Sequence, residues 1–336
     1  MHNQGLFRYR HSGKLSIYRK KTMTDYTYSG YPSSNKVEQL NLKQLYEKTN
    51  GGLGQDHFSF TQLSKTKPIG MWIVDYFVRD QKRRRADKKN FKLGYGSVSG
   101  NVAQRLIGKY VFKGAEREEI KNRDYNTIFN YEYDLYKKES YDQRDDKIKE
   151  MVVDKLHDTI KNVLKVVKEI FGSKPLMCER YVSMSPQNLG IDILGRLDWE
   201  ASHEFAEQKV KPPSVRGLDL NNIKIYTQKL PTEPDPININ QVAFYRLATE
   251  KQPFLFYVNE KDYIIFDNEH PALWDDHLEY CYSEMVQKAM TIQRLLEVSN
   301  GDPKVMAGLV EKPDLSHWTM KDASADQLAV IKQLWG

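Results

Sequence analysis

No run of apolar residues in this sequence approaches the length of a membrane span, so no transmembrane segment is expected. Cysteine is scarce: Cys178 and Cys281 are far apart and sit in apolar patterns. Buried free thiols in a reducing compartment are therefore expected rather than a bridge, and a four-thiolate cluster is excluded. The glycine-rich stretch Leu93 to Asn101 lacks the Lys-Ser/Thr ending of a phosphate loop, which rules out a P-loop. Acidic residues are missing from the first 22 positions, which carry Arg8, Arg10, Lys14, Arg19, Lys20 and Lys21. The whole chain has 51 Lys and Arg against 45 Asp and Glu, so this segment holds the entire net charge of +6. It has no apolar stretch of the kind a secretory signal needs. Its composition fits an organelle transit peptide or a basic arm that touches phosphates, and the arm is the preferred reading.

What is present is enough for a sizeable core. The 336 residues are 40% hydrophobic and 12% aromatic, room for one large or two ordinary domains. Residues 1–54 read as the basic, partly disordered arm and a linker around one short helix near Val37 to Lys48. Residues 55–300 read as the folded domain, and 301–336 as a tail with a short helix near Asp326 to Leu334.

The domain is organised around Gly195-Arg196-Leu197-Asp198 and Glu207-Gln208-Lys209. Ile191 to Trp199 reads as one strand, and a second runs from Glu204 through Val210 to the stop at Pro212-Pro213. Glu200 to His203 is short enough for a hairpin turn. Antiparallel pairing brings Asp198 and Glu207 to one end of the sheet, and the two-residue period puts Glu207 and Lys209 on one face. Two carboxylates suit Mg²⁺ or Mn²⁺, helped by a backbone carbonyl and water, and an adjacent ammonium suits a phosphate whose charge is growing. The competing reading of an isolated E-x-K is a pair of solvated neighbours on an edge strand.

Asp198 followed by Glu207-Gln208-Lys209 resembles the PD-(D/E)XK nuclease signature, and Gly-Arg-Leu-Asp is similar to the G-R/x-x-D strand of its RecB-like branch. Gln241 to Tyr245 resembles that branch's Q-x-x-x-Y motif. Ser59 to Leu63 resembles its S-x-S/T-x-L segment, and Glu179 occupies the place of a glutamate on the preceding strand. The likeness runs in order over about residues 58 to 300. It implies an α/β fold, a restriction-endonuclease-like core with a small mixed β-sheet flanked by α-helices. It also implies a Mg²⁺- or Mn²⁺-dependent deoxyribonuclease of the phage recombination or mitochondrial genome maintenance type, exonuclease rather than endonuclease. Asp198 and Glu207 would hold the metal, with the Gln208 carbonyl as a further ligand. Lys209 would assist the attacking water, and Gln241 and Tyr245 would position the strand.

Two departures stand against the likeness. A G-x-x-x-H motif in the branch supplies a histidine ligand; here Gly96 matches the glycine, but Gly100 stands in place of the histidine, leaving Asn101 or water as the substitute. Val210 replaces the usual Thr after the lysine. A structure-selective endonuclease and a catalytically silent nucleic-acid-binding module of the same fold remain alternatives. The expected partner is DNA with free ends or single strands, together with a single-strand-binding or recombination protein, and no membrane. The expected location is the cytoplasm, that of the host if the chain is phage-encoded, with the mitochondrial matrix as the alternative.

Other stretches are read from the residues alone. The run Lys82 to Lys89, with Arg83, Arg84 and Arg85, is either a solvated helix face or a phosphate contact. Tyr125, Phe129, Tyr133, Tyr136 and Tyr141 suit helix packing, or stacking on unpaired bases. Val153 to Ile170 follows the apolar spacing of a long helix ended by Phe171-Gly172. Glu179 suits either a metal-site carboxylate or an ion pair with a nearby arginine. The proline-bearing stretch before Gln241 reads as a loop over the site's mouth, with Asn240 capping the helix that follows.

Overall fold

The computed structural model describes residues 7–11, 14–18, 42–49, 54–63, 68–78, 143–187, 189–217, 221–316 and 325–336. The chain divides into two compact units, Met1–Leu40 and Asn41–Gly336. In the first, β1 (Phe7–His11) and β2 (Lys14–Tyr18) pair antiparallel, so strand structure stands where the composition suggests an irregular arm.

The second unit takes in the end of the expected linker, from Asn41, and the expected tail. It opens with α1 (Leu42–Glu47), β3 (His57–Ser59), α2 (Phe60–Leu63) and α3 (Ile69–Ile73), which runs on into a π turn, Val74–Val78. Next come α4 (Gln143–Phe171), β4 (Met177–Met184), β5 (Asp192–Glu200), β6 (Glu204–Val210), β7 (Ser214–Arg216) and β8 (Lys224–Tyr226). The unit closes with α5 (Pro236–Thr249), β9 (Gln252–Val258), β10 (Tyr263–Phe266), α6 (Asp275–Ser299), α7 (Pro303–Gly308) and α8 (Ala325–Trp335). Leu45 and Tyr46 of α1 and Met306 of α7 are buried in the main core, while Ile331 of α8 packs on Met71 and Val74.

The architecture is α/β, with a mixed six-stranded sheet flanked by helices. Strands run in the order β10-β9-β6-β5-β3, with β4 also paired to β5. The β6–β9 and β3–β5 pairs are parallel; β4–β5, β5–β6 and β9–β10 are antiparallel. Alternation along the strands divides the core between two faces. Phe205, Leu255 and Tyr257 pack with α5 and α6 on one face; Ala206, Phe256 and Val258 pack with Leu156, Ile160, Val163 and Val167 of α4 on the other. Gly172 ends α4 at φ +61°, its N–H donating to Lys168 O. That backbone conformation strains any residue with a Cβ, which is why the helix stops there. No helix among the described residues is long and apolar enough to cross a membrane.

The start of α5 differs from the sequence expectation. Asp235 is the N-cap, its carboxylate accepting from Ile237 N at 2.9 Å, and Pro236 occupies the first helical position. Asn240 therefore lies inside the helix, buried, rather than capping it. The stretch read as a loop ends in an Asp-Pro start signal, because a proline at that position loses no hydrogen bond and has its φ already set.

Candidate functional site

The site is built on a divided edge. Antiparallel β4 covers β5 from Ile193 to Glu200 on one side. The other side is shared: β3 pairs with Asp192–Leu194, and β6 only with Trp199 and Glu200. Between them, Gly195 to Asp198 have no strand neighbour on that side among the described residues. This is the Gly-Arg-Leu-Asp segment singled out above.

Two groups close the opening. The Tyr245 hydroxyl donates to Arg196 O at 2.6 Å and accepts from Arg196 N at 3.0 Å, supplying both partners that an adjacent strand would have given. The Asp198 carboxylate accepts from Gln208 N at 2.8 Å, so a side chain takes the place of the next rung of the β5–β6 ladder. Gly195 makes the first closure feasible. A Cβ there would lie 2.6 Å from Cε1 of both Phe244 and Tyr245, so only glycine lets α5 approach this strand.

From Tyr245 the hydrogen bonds run straight to the E-x-K pair. Gln241 Nε2 donates to Tyr245 OH at 3.2 Å, one helical turn along α5. Lys209 Nζ donates to Gln241 Oε1 at 2.8 Å and to Glu207 Oε1 at 2.7 Å. Glu207 and Lys209 thus share a face, as the period of β6 requires, and Gln241 and Tyr245 share one on α5. Gln208 points the other way, its Oε1 accepting from Trp199 Nε1 at 3.0 Å.

The electrostatics of this cluster are lopsided. Burial and the charge of the neighbouring Asp198 hold the Glu207 carboxyl well above the usual range, against the pull of Lys209. Burial pulls Lys209 down, but the charges of Glu207 and Asp198 outweigh it and keep the ammonium protonated. The second Glu207 oxygen, Oε2, is buried with no hydrogen-bond partner. Two adjacent carboxylates, one with an orphaned oxygen, offer hard oxygen donors at one point. A hard divalent cation would suit the two carboxylates, Asp198 and Glu207, as oxygen donors. Among the described residues, no group of three or more His, Cys, Asp or Glu is assembled for a metal.

Glu179 is not drawn into this cluster. It stands opposite Asp198 in the β4–β5 register, where the flanking pairs are Cys178↔Trp199 and Arg180↔Leu197, and its own φ is +53°. Its carboxylate ion-pairs with Arg196 at 3.4 Å, the second of the two roles open to it. The alternation of β5 breaks at the same level, since Leu197 joins the α5–α6 core and Trp199 the α4 core. Left-handed backbone at a non-glycine residue is a local strain held by its surroundings. Beside it, burial pushes the Cys178 thiol up to about 12, with Glu179 and Asp198 adding to the effect, so this cysteine is inert as a nucleophile.

Tyr245 requires a correction. It is fully buried, and its hydroxyl is committed to Arg196 and Gln241, so it has no surface to offer a nucleic acid strand. Gln241, 7% exposed, is likewise spent on Lys209 and Tyr245. Both are positioned to orient the lysine. Arg83, Arg84, Arg85, Asn101 and the aromatic residues from Tyr125 to Tyr141 lie outside the described residues.

Sequence reasoning missed a second buried carboxylate. Glu200, at the end of β5, is fully buried and bonded by Arg180 Nε, by Arg180 Nη2 at 2.6 Å and by Lys251 Nζ at 2.5 Å. Burial raises its pKa, but the hydrogen bonds and charges of the two cations outweigh that and hold it below the usual carboxylate value. The three residues are too far apart in sequence for any local pattern to link them.

No family model matches the chain, and no curated protein matches it. A solved structure described as "Crystal structure of SSO0001" is 14% identical, covering 42% of this chain and 67% of that one, with a TM-score of 0.25.

Proposed function

We propose that this chain is a metal-dependent deoxyribonuclease of PD-(D/E)XK type, with a restriction-endonuclease-like core and the motif order of RecB-like exonucleases. One observation carries the proposal: Asp198, Glu207 and Lys209 converge where β5 and β6 part, and one buried Glu207 oxygen there has no partner. Most buried polar groups are hydrogen-bonded, and an orphaned carboxylate oxygen beside a second carboxylate suits a cation.

In this reading Asp198 and Glu207, with the Gln208 carbonyl, hold Mg²⁺ or Mn²⁺. The ion would supply electrophilic polarisation of the phosphoryl group and a lowered pKa for the attacking water. Lys209 points its ammonium toward the charge that grows on the phosphate, fixed by Glu207 and Gln241 before substrate arrives. Tyr245 fixes Gln241 in turn. Positioned donors of this kind lower the barrier because they need no rearrangement during the reaction.

The deciding experiment is degradation of end-labelled linear single- and double-stranded DNA with Mg²⁺, Mn²⁺ or EDTA, using wild type, Asp198→Ala and Lys209→Ala. Metal-dependent loss by wild type alone is expected, with circular single-stranded DNA left intact. Cleavage of the circle would instead make the enzyme an endonuclease. Equal binding without cleavage by all three proteins would leave only the silent binding module.

A further inference from the structure

The chain between Gln208 and Leu230 carries five cations, Lys209, Lys211, Arg216, Lys224 and Lys229, against one acid, Asp219. It leaves β6 directly after the E-x-K residues and forms the β7–β8 hairpin, with register pairs Ser214↔Tyr226, Val215↔Ile225 and Arg216↔Lys224. The two-residue period sorts this hairpin into two unlike faces. Ile223 and Ile225 pack against the α4-side core, whereas Lys224 and Tyr226 are exposed, as is Arg216. The Arg216 guanidinium lies over the Tyr226 ring, 5.3 Å from its centre, and Tyr226 as a residue is 44% exposed.

Both feet of the hairpin are pinned to one place, the β9–β10 turn. Lys211 N donates to Val258 O at 2.7 Å on entry; on exit, Asn259 Nδ2 donates to Gln228 O at 2.8 Å and Thr227 Oγ1 to Glu260 Oε1 at 2.5 Å. Lys211 Nζ sits over the Tyr257 ring, 5.3 Å from its centre. A mobile basic loop needs no such anchoring.

We propose that the β7–β8 hairpin is a binding arm for single-stranded nucleic acid: Arg216 and Lys224 contact backbone phosphates and Tyr226 stacks on an unpaired base. The inference rests on the nuclease reading for its substrate class. Its chemistry is charge complementarity to a polyanion combined with an exposed aromatic face, the pairing that single-strand binders use. Arg stacked on the tyrosine holds the ring flat and keeps its own outer N–H groups free for phosphate. The arm follows Lys209 by a few residues, leaving the Lys209 end of β6.

The test uses the full-length chain carrying Asp198→Ala, so that binding is read without cleavage, titrated with a labelled single-stranded oligonucleotide over a range of salt. The Arg216→Ala/Lys224→Ala pair is expected to weaken binding at least tenfold at low salt and to lower the slope of log K against log salt by about 1.4. Tyr226→Ala is expected to weaken it roughly fivefold or more with the slope unchanged, and Tyr226→Phe to restore it. Lys161→Ala, on the exposed face of α4, serves as the control for general charge. Unchanged affinity and slope in the hairpin variants overturn the proposal, as does a loss matched by Lys161→Ala. A wild type that never cleaves DNA, with binding still lost in the hairpin variants, refutes the nuclease reading and leaves the arm standing.

Discussion

The Tyr245 hydroxyl holds both the N–H and the C=O of Arg196, at 3.0 and 2.6 Å. A single side-chain oxygen on α5 thus replaces a missing strand on β5, and through Gln241 that oxygen also sets the position of Lys209. Tyr245→Phe keeps the ring and its packing on Phe244 and Phe205 but removes the oxygen. It should cost about 1 to 3 kcal/mol in urea denaturation, the penalty for part-buried backbone groups left unpaired. Turnover should fall about 10- to 100-fold with KM little changed, as for other residues that orient a catalytic group. In a Lys209→Ala background the same substitution should cost no further activity; an additive loss would mean that Tyr245 does not act through the lysine.

Gly195→Ala tests the close approach of α5. The added Cβ, 2.6 Å from two aromatic carbons, forces the helix outward and with it Gln241 and Tyr245. A loss of about 1 to 3 kcal/mol is expected, typical of overpacking, together with reduced activity. A variant as stable and active as wild type would show that β5 and α5 can separate without harm.

The raised pKa of Glu207 has a definite sign. A carboxyl that holds its proton more tightly when folded stabilises the native state below its unfolded value, and that contribution is lost as the pH rises through the folded value. In EDTA at alkaline pH, Glu207→Gln should therefore melt higher than wild type, and the gap should close on acidification. Mg²⁺ should raise the melting temperature of wild type but not of the variant, with metal affinity weakening toward acid as the proton competes. A Glu207→Gln variant less stable than wild type at every pH would mean that the bond from Lys209 outweighs the burial of the carboxylate.

Glu200 has the opposite sign. Held below its usual range by Arg180 and Lys251, it stabilises the fold above the unfolded carboxyl value and loses that effect as the pH falls through the folded one. Glu200→Gln should cost about 2 kcal/mol at neutral pH, less than a fully desolvated pair because Arg180 is partly in solvent. Denaturation curves at neutral and acid pH should show the difference shrinking toward acid.

The parts of the site that depend on local period were legible in the sequence. Glu207 and Lys209 share a strand face, Gln241 and Tyr245 a helix face, and the strand ends lay within one residue of those observed. What stayed hidden depends on distant partners. Nothing local shows that three residues, His57 to Ser59, would border the start of β5, or that Glu200 would meet Arg180 and Lys251. The role of Tyr245 was misread for the same reason: a motif gives its position, whereas its burial is set by Gly195 on another element. Asp235-Pro236 encodes the α5 boundary, but Pro231 and Pro234 just before it carry the same local signal as a loop.

The divided edge of β5 also carries a consequence for how the chain folds. Its β5–β6 border closes across a three-residue turn, whereas His57 and Asp192 on the other border are 135 residues apart. Local pairings form early and distant ones late, since loop closure must be met first. Asp198 and Glu207 are therefore brought side by side while β3 and the α5 tyrosine are still absent, and the half-built sheet holds two mutually repelling carboxylates. A divalent cation present at that stage would relieve the repulsion, so refolding should run faster with Mg²⁺ than with EDTA.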